Sequence, residues 1–547
     1  MRHILPVLRS AHLSRRVAVR NVDGTSVTFG EILRRSRALA AALNQRGIKE
    51  PTVACFHKAS SGYVETMLAT WMLGKRFLPL CTTHPQAELQ YFVDDSKAGV
   101  IVYSSQEACK KHSFGALPNL GVALVDRSSI AASSSLPEPE PEPEPEELHP
   151  DLNSDALILY TSGTTGRPKG VVHSHLGVTC MITGLVDSWQ YSSKDHILHF
   201  LPLHHLHGVL NKLLCVLYAG GCVEFLASAH PLEIWTRLAA LEAQHPKVNL
   251  FMAVPTVYAR MIEFAEEATK SDDDKKKEMV LRALASVRAD MRLMACGSAA
   301  LPDTVMNTWR KLTGHVLLER YGMTECGMIL SNDYTPVANR TPGHVGKPLP
   351  HVNVRLVDDK EQEIGSNSSS EEVAGELRVK GPTVFREYLN RPDAFRDSFD
   401  KDGWFKTGDI AVRRRDTGMY AILGRNSTDI IKSKGYKLSA LEIERELLAC
   451  DDVIREVAVV GRPHPIDGEY VAAVVVLQPS CAMSASASSI ADDEQKALVD
   501  KIKDFLKPRL ANYKSPVRYF FITQPLPRNA LGKVNKKTLF SELSLEK

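Results

Sequence analysis

Residues 160–170 combine the side chains that a phosphate-binding loop needs. This segment contains three glycines, four serine or threonine hydroxyls and two cations, and it follows the apolar run 156–159. Glycine lets the backbone approach a ligand closely, while consecutive N–H groups, hydroxyls and cations surround an anion. The predicted ligand is a polyphosphate, held by Thr161, Ser162, Gly163, Thr164, Thr165, Gly166, Arg167 and Lys169.

The spacing of this loop differs from that of a Walker A motif. Two residues, Arg167 and Pro168, separate the second glycine from Lys169, and another glycine follows the lysine. A surface turn is the usual structure of a segment rich in glycine and serine. We favour phosphate binding because the whole string follows a predicted buried strand.

Four other segments carry residue types that suit chemistry. They are residues 321–325 (Tyr-Gly-Met-Thr-Glu), 404–409 (ending Thr-Gly-Asp), 424–436 (Gly-Arg-Asn-Ser-Thr-Asp, then Ile-Ile-Lys-Ser-Lys-Gly-Tyr) and 527–537 (with Gly-Lys at its centre). Taken singly, each has an ordinary structural interpretation. Glu325 would cap a helix, Asp409 would close a turn, and Lys533 would be a solvated lysine.

The elements that must position these segments alternate between strand and helix patterns. Strands are predicted at residues 52–56, 99–103, 156–159, 248–254, 292–295 and 315–320, and helices at 29–43 and 174–189. Ser174 is the expected cap of the second helix. This alternation predicts an α/β fold with largely parallel sheets.

After residue 424 the pattern changes. Helices are predicted at 440–449 and 494–506, and strands at 453–461, 471–477 and 518–522. We therefore predict a large N-terminal domain of α/β subdomains (1–424), a hinge (425–429) and a smaller, mobile α+β C-terminal domain (430–547), because 547 residues are too many for one core. The Pro-Glu alternation at 137–147 predicts an extended loop, and polar residues predict surface loops at 270–278, 365–372 and 480–493.

Composition argues against several classes of protein. A net charge of +3 does not indicate nucleic-acid binding. No apolar run reaches the length of a transmembrane segment. The ten cysteines include no Cys-x-x-Cys pair, which fits a reducing compartment. His199, His204, His205 and His207 lack a nearby Cys or carboxylate at ligand spacing, so the sequence disfavours a metal site there.

The N-terminus is rich in arginine and contains no acid before Asp23. This composition resembles a transit peptide, but an amphipathic first helix is the interpretation we favour. The expected location is therefore the cytoplasm, with the mitochondrial matrix as the alternative. A monomer or weak dimer is expected.

Taken together and in this order, the phosphate loop and the four segments resemble the adenylate-forming superfamily of acyl-CoA synthetases, luciferases and peptide-synthetase adenylation domains. The resemblance extends from about residue 16 to residue 537. It implies an ATP-dependent ligase that converts a carboxylic acid to an acyl-adenylate and pyrophosphate, and then to an acyl-CoA and AMP. ATP and coenzyme A are the implied substrates, and Mg²⁺ is the implied cofactor.

The resemblance also implies roles for individual residues of the nucleotide site. Tyr321, followed by Gly322 and Met323, would stack on adenine. Thr324 and Glu325 would bind the α-phosphate and Mg²⁺. Ribose would be held by Asp409 and Arg425.

Two half-reactions would share this site through rotation of the small domain. Lys533 would bridge the substrate carboxylate and the α-phosphate during adenylation. Rotation at Ser427 would then bring Lys434, Gly435 and Tyr436 to the site where coenzyme A reacts. Many relatives have Asp or Lys at the hinge, so the serine leaves its side-chain role open.

Further strings, at residues 201–208, 292–302, 317–325 and 384–388, resemble the malonyl-CoA synthetase subfamily. Malonate keeps a second carboxylate, and burial of that charge requires a cation in the pocket. Arg292 resembles the arginine that binds the distal carboxylate in this subfamily and is the expected cation, assisted by His207. The resemblance also implies that Gly297 and Ser298 line the pocket.

Three alternatives stay open at this point. The acid could be methylmalonate, a short- or medium-chain fatty acid, or an aryl acid such as 4-coumarate. A module that loads a carrier protein, or a luciferase-type oxidase, would share the same nucleotide motifs. A non-catalytic nucleotide-binding protein is disfavoured because Glu325 and Lys533 are both present.

Overall fold

Strands and helices alternate through most of the N-terminal part of the chain. The computed structural model describes residues 11–104, 123–127, 151–161, 167–240, 246–364, 372–433, 436–482, 492–528 and 534–545. The strands up to the predicted hinge are β1 (Val17–Arg20), β2 (Ser26–Thr28), β3 (Thr52–Phe56), β4 (Arg76–Pro79), β5 (Ala98–Tyr103), β6 (Ala123–Asp126), β7 (Asp155–Thr161), β8 (Lys169–Ser174), β9 (His196–His199), β10 (Cys222–Phe225), β11 (Leu250–Ala253), β12 (Leu293–Cys296), β13 (Leu318–Met323), β14 (Gly327–Ser331), β15 (Lys347–Pro348), β16 (Asn353–Val357), β17 (Glu372–Lys380), β18 (Glu387–Tyr388), β19 (Phe405–Arg414) and β20 (Tyr420–Arg425).

Two large sheets contain most of these strands. A nine-stranded sheet has the order β15-β14-β13-β12-β11-β9-β10-β1-β2, and a seven-stranded sheet has the order β18-β8-β7-β4-β3-β5-β6. The central pairs of both sheets are parallel. Antiparallel strands lie at both edges of the nine-stranded sheet and at the β18 edge of the seven-stranded sheet, whose other edge strand, β6, is parallel. Parallel strands end at the same edge of a sheet, so the loops that follow them gather there.

Helices cover the faces of these sheets. The α-helices before the hinge span Ala11–Ser14, Phe29–Gln45, Ser61–Met72, Gln86–Ser96, His175–Ser188, Cys215–Tyr218, Pro231–Ala239, Pro255–Lys270, Asp274–Asp290, Asp303–Thr313 and Pro392–Asp397, with a π-helix at His207–Leu214 and a 3₁₀ turn at Val337–Asn339. The helix Phe29–Gln45 shows why they form: its buried residues recur at spacings of three and four. Thr28 and Glu31 complete a capping box at its start.

The two sheets share one apolar core. Buried residues of β3, β7, β9 and β13 join those of the helices Phe29–Gln45, Ser61–Met72 and His175–Ser188 in a single cluster. A second cluster lies between the opposite face of the nine-stranded sheet and the helices Pro231–Ala239 to Asp303–Thr313. The loops at the strand ends are therefore held between two rigid layers.

A four-stranded antiparallel sheet, β16-β17-β19-β20, completes the part before the hinge. Strands β19 and β20 place Asp409 directly opposite Arg425. This register brings two of the predicted nucleotide-binding residues together.

The C-terminal part contains strands β21 (Ile430–Ser433), β22 (Tyr436–Ser439), β23 (Ile454–His464), β24 (Gly468–Leu477) and β25 (Arg518–Ile522) in one sheet. Its helices span Ala440–Leu448, Pro479–Ala482, Asp492–Leu506 and Leu539–Glu542, with a 3₁₀ turn at Asn512–Lys514. Separate apolar clusters cover the two faces of the sheet. Ion pairs connect this part to the rest of the chain: Arg445 lies 3.7 Å from Asp303, and Arg455 lies 3.7 Å from Glu263.

The predicted fold class is confirmed: a large α/β part precedes a smaller α+β part. Ser174 caps the helix His175–Ser188 by accepting a bond from the Gly177 N–H at 3.0 Å. The loop predicted at 270–278 is shorter than expected: only residues 271–273 link two helices, because a helix capped by Asp273 begins at Asp274. The Pro-Glu segment 137–147 lies outside the described residues, as does most of 365–372 and 480–493. Within the described residues, no helix combines the length and apolar character that crossing a bilayer requires.

Candidate active site

The two arms of the predicted phosphate loop form a hairpin. Thr161, at the end of β7, pairs with Lys169, at the start of β8. Residues 162–166, which include Ser162, Gly163, Thr164, Thr165 and Gly166, lie outside the described residues. The Lys169 ammonium lies 4.7 Å from the centre of the Tyr388 ring. This lysine is therefore positioned by a cation–π contact at the base of the loop.

Thr324 and Glu325 follow β13, in the turn that leads into β14. The Tyr388 hydroxyl donates to Glu325 Oε1 at 2.8 Å, so one tyrosine touches both this carboxylate and Lys169. His173 Nε2 donates to the Thr324 carbonyl at 2.7 Å. Burial lowers the pKa of His173 to about 4, which keeps the ring neutral.

Tyr388 and His173 are site residues that the sequence argument missed. Tyr388 belongs to the two-residue strand β18, which pairs with β8, and His173 belongs to β8 itself. Tyr388 lies in the string 384–388, to which the sequence argument gave no role at this site, and His173 lies in none of the strings it used. The pairing of β8 with β18, together with a bond from the Phe385 N–H to the Glu325 carbonyl at 2.8 Å, brings them to the end of β13.

Glu325 is suited to a hard cation. Among the residues that the structure describes, Oε2 has no hydrogen-bond partner, whereas Oε1 accepts from Tyr388. Carboxylate oxygens are the protein ligands that Mg²⁺ prefers. The donor set at the end of β13 therefore fits the predicted ion.

Tyr321, Asp409 and Arg425 form a second group. The Tyr321 hydroxyl donates to Asp409 Oδ2, and Arg425 Nε lies 3.4 Å from Asp409 Oδ1. Burial, and then the Asp409 charge, raise the pKa of Tyr321 well above its ordinary value. The phenol therefore stays protonated and donates to the carboxylate, whose oxygens suit hydroxyl donors such as those of ribose.

The predicted strand before Tyr321 is displaced along the chain. Tyr321, Gly322 and Met323 lie within β13 and do not follow it. A Cβ atom at Gly322 would lie 2.3 Å from the Gly327 carbonyl oxygen, so the β13–β14 hairpin can close only over a glycine. The half-buried Met323 packs against the shared core.

The predicted acyl pocket brings His207, Gly297 and Ser298 together. Ser298 follows β12 with φ of +72°, and its Oγ lies 3.4 Å from His207 Nδ1. Burial, and then the charges of Arg320 and Lys212, lower the pKa of His207 well below its ordinary value. The imidazole is therefore neutral and available to a polar ligand.

Arg320 is the cation at this position. Its Nη2 donates to Ser298 Oγ at 3.3 Å, and a Cβ at Gly297 would lie 2.7 Å from its guanidinium carbon. Only 3% of Arg320 is exposed, and its Nε has no hydrogen-bond partner among the described residues. Burial lowers its pKa to about 10, so the guanidinium stays charged at neutral pH.

Arg292 does not lie in this pocket. It immediately precedes β12, at the opposite edge of the sheet from Ser298. Its guanidinium donates to both carboxylate oxygens of Asp195, at 2.7 and 2.6 Å, and to the Trp189 carbonyl at 3.0 Å. Because the Asp195 side chain is fully buried, Arg292 serves as its counter-ion, and the expected role in substrate binding is not supported.

The C-terminal site residues are described only in part. Lys434, Gly435 and Lys533 lie outside the described residues. Tyr436 is 52% exposed and stacks on Tyr513 with ring centres 4.4 Å apart. Ser427 is exposed in the turn between β20 and β21.

Comparisons with known proteins identify the family. The family model described as AMP-binding enzyme matches residues 9–389, and the model of the AMP-binding enzyme C-terminal domain matches residues 442–533. Malonate–CoA ligase ACSF3, mitochondrial, of Mus musculus is 40% identical over 536 residues, which cover 94% of this chain and 87% of the relative. Malonate–CoA ligase of Arabidopsis thaliana is 36% identical over 552 residues, which cover 96% and 86%.

Solved structures show the same similarity. The ATP-bound crystal structure of MatB from Rhodopseudomonas palustris has a TM-score of 0.80 and 29% identity, and the alignment covers 99% of this chain and 98% of that one. A malonyl-CoA ligase in ternary product complex with methylmalonyl-CoA and AMP has a TM-score of 0.63 and 30% identity, with 96% and 99% covered. The chain belongs to the AMP-binding enzyme family.

Proposed function

We propose that this chain, an AMP-forming acid–CoA ligase, activates malonate. One observation carries the choice of acid: Arg320 is a buried cation beside Ser298 and His207, and the described residues give it no carboxylate partner. An unpaired buried charge is costly, so the pocket is suited to an acid that brings a second carboxylate. The malonate–CoA ligases among the relatives support the same substrate.

In the first half-reaction, a carboxylate oxygen of the acid attacks the α-phosphorus of ATP, and pyrophosphate leaves. Two anions must approach each other, so positive charge and correct orientation account for most of the rate. Lys169 and Lys533 are the proposed cations at the phosphates and at the reacting carboxylate. Residues 161–169 hold the phosphate chain, while Tyr321 stacks on adenine.

Asp409 and Arg425 orient the nucleotide. The Asp409 carboxylate accepts hydrogen bonds from the ribose hydroxyls, and Arg425 balances its charge from the neighbouring strand. Thr324 binds the α-phosphate and Glu325 holds Mg²⁺, with Tyr388 fixing the carboxylate in place. When bound, Mg²⁺ reduces the repulsion between the attacking carboxylate and the phosphates.

In the second half-reaction, the thiol of coenzyme A attacks the acyl-adenylate, a C–S bond forms and AMP leaves. The small domain rotates about Ser427, which exchanges Lys533 for Lys434, Gly435 and Tyr436 at the site. The exposed ring of Tyr436, already stacked on Tyr513, offers an aromatic surface for this step.

Arg320→Met tests the choice of acid. CoA-dependent AMP formation is measured with malonate, methylmalonate, acetate, octanoate and 4-coumarate. We expect the wild type to prefer malonate over acetate by at least tenfold. The variant should lose about 10²- to 10³-fold in kcat/KM for malonate, because breaking a buried charge pair costs about 3–4 kcal/mol. Acetate, which has no second carboxylate, should be converted at nearly the wild-type rate.

The matched control is Arg292→Met, which removes an arginine from the opposite edge of the same sheet. Its malonate-to-acetate ratio should equal that of the wild type. Equal losses with malonate and acetate in Arg320→Met would contradict the proposal. If the wild type prefers octanoate or 4-coumarate, the proposed substrate is wrong, but the proposed adenylation chemistry still holds.

We propose a mitochondrial location, because the Mus musculus relative is described as mitochondrial, and the cytoplasm that the N-terminal pattern favoured stays the alternative. Fractionation of cells that produce the full chain with a C-terminal tag tests this location. The monomer or weak dimer stays a prediction, to be checked by light scattering.

A further inference from the structure

Cys81, His84 and His204 form a cluster of metal-ligating side chains that the proposed reaction does not use. The Cys81 sulfur and one ring nitrogen of each histidine all lie within 4.8 Å of one another. The rings of His84 and His204 meet edge to face, with centres 5.1 Å apart. All three side chains are partly buried.

The backbone holds these ligands from both large sheets. Cys81 and His84 lie in one turn after β4, closed by a bond from the His84 N–H to the Cys81 carbonyl at 3.3 Å. His204 lies in the loop after β9, where the Tyr63 hydroxyl fixes the Leu203 carbonyl at 2.8 Å. Because both loops are anchored, the ligands are close to each other before any ion binds.

We propose that Cys81, His84 and His204 bind one Zn²⁺ ion. One sulfur and two imidazole nitrogens make a ligand set that Zn²⁺ accepts, with the fourth position of the tetrahedron left for water or another small ligand. Mg²⁺ prefers oxygen ligands and would not compete here. The site is therefore chemically distinct from the one proposed at Glu325.

A carboxylate supports this assignment. Glu88 Oε2 lies 3.9 Å from His84 Nδ1, and Nδ1 has no hydrogen-bond partner among the residues described. A ligating histidine commonly turns its second nitrogen toward a carboxylate, which fixes the ring and strengthens the metal bond.

The ion would connect the seven-stranded sheet to the nine-stranded sheet beside the acyl pocket. His204 lies three residues before His207, and His207 contacts Ser298 of the pocket. Zn²⁺ would thus immobilise the loop that leads into the π-helix His207–Leu214. Since the unfolded chain holds no preformed site, binding should also stabilise the fold.

Co²⁺ absorption tests the ligand set directly. Full-length protein treated with a chelator is titrated with Co²⁺, and one equivalent should produce the near-ultraviolet band of a thiolate–cobalt bond. Cys81→Ser should remove the band. Cys180→Ser, which removes another partly buried thiol, should retain it.

Zn²⁺ affinity and thermal unfolding provide readouts that do not depend on catalysis. In competition with a chromophoric chelator, His204→Asn and His84→Gln should each lower Zn²⁺ affinity at least tenfold. Zn²⁺ should raise the Tm of the wild type and of Cys180→Ser, but not the Tm of Cys81→Ser. Any effect of Mg²⁺ on Tm should be the same in all three proteins, because Mg²⁺ does not bind at Cys81. An unchanged cobalt band in Cys81→Ser, or unchanged Zn²⁺ affinity in both histidine variants, would overturn the proposal.

Discussion

Tyr388→Phe tests how the chain holds Glu325. The substitution removes the hydroxyl that donates to Glu325 Oε1 at 2.8 Å, but keeps the ring that lies 4.7 Å from the Lys169 ammonium. A hydrogen bond to a charged group contributes about 1.5–3 kcal/mol. If this bond orients the carboxylate in the transition state, kcat/KM for adenylation should fall about 10- to 150-fold.

The assay must separate the two half-reactions. Malonate-dependent exchange of pyrophosphate into ATP reports adenylation, and AMP release from supplied acyl-adenylate and coenzyme A reports thioester formation. We expect the first rate to fall and the second to change little. The Mg²⁺ concentration that gives half the maximal exchange rate should rise, because a freely rotating carboxylate binds a cation less well.

Ser228→Ala is the matched control. The Ser228 hydroxyl donates to Glu233 Oε1 at 2.9 Å, so a hydroxyl–carboxylate bond is lost without touching Glu325 or the phosphate loop. Exchange by this variant should stay close to the wild-type rate. If Tyr388→Phe also stays within twofold of the wild type, Glu325 is oriented by other contacts and the reasoning is refuted.

Two further predictions concern buried charges. Arg292→Met removes the guanidinium that pairs with the buried Asp195. Urea denaturation should therefore measure a loss of about 3 kcal/mol in the free energy of unfolding. An unchanged free energy would mean that other groups compensate the charge of Asp195. Burial raises the pKa of Glu319 from 4.5 to about 8. Between pH 4.5 and about 8 the folded state keeps a proton on Glu319 that the unfolded chain releases. The stability that this proton binding contributes is full below pH 4.5 and is lost as the pH rises through 8. Glu319→Gln should therefore raise Tm relative to the wild type more at pH 8.5 than at pH 5.5, and a difference independent of pH would contradict the assignment.

Local patterns in the sequence were sufficient for much of the fold. The predicted strand 52–56 coincides with β3, and 518–522 coincides with β25, because apolar runs bounded by turn residues leave few alternatives. The loop predicted at 270–278 is shorter than expected for a related reason. Its charged residues occupy the exposed first turns of an amphipathic helix that begins at Asp274, and polarity alone does not distinguish such a turn from a loop.

Long-range pairing accounts for what the sequence could not supply. Tyr388 reaches Glu325 because β18 pairs with β8 and because the Phe385 N–H donates to the Glu325 carbonyl. The histidine-rich segment did not indicate the proposed zinc site, because Cys81 lies far away in sequence, after a strand of the other large sheet. Neither juxtaposition leaves a spacing that can be recognised along the chain.

The sequence argument expected Arg292 as the pocket cation, whereas we propose Arg320. The sequence already contained the information that disfavours Arg292. In a parallel sheet the ligand lies beyond the carboxyl ends of the strands, so a residue that precedes β12 must face away from the loop that follows it. Arg292 precedes β12, whereas Gly297 and Ser298 follow it. Arg320 approaches this loop from the neighbouring strand β13, and the missing side chain at Gly297 provides the space for its guanidinium. Strand direction, together with a glycine just past a strand end, is therefore a better guide to a pocket cation than proximity along the chain.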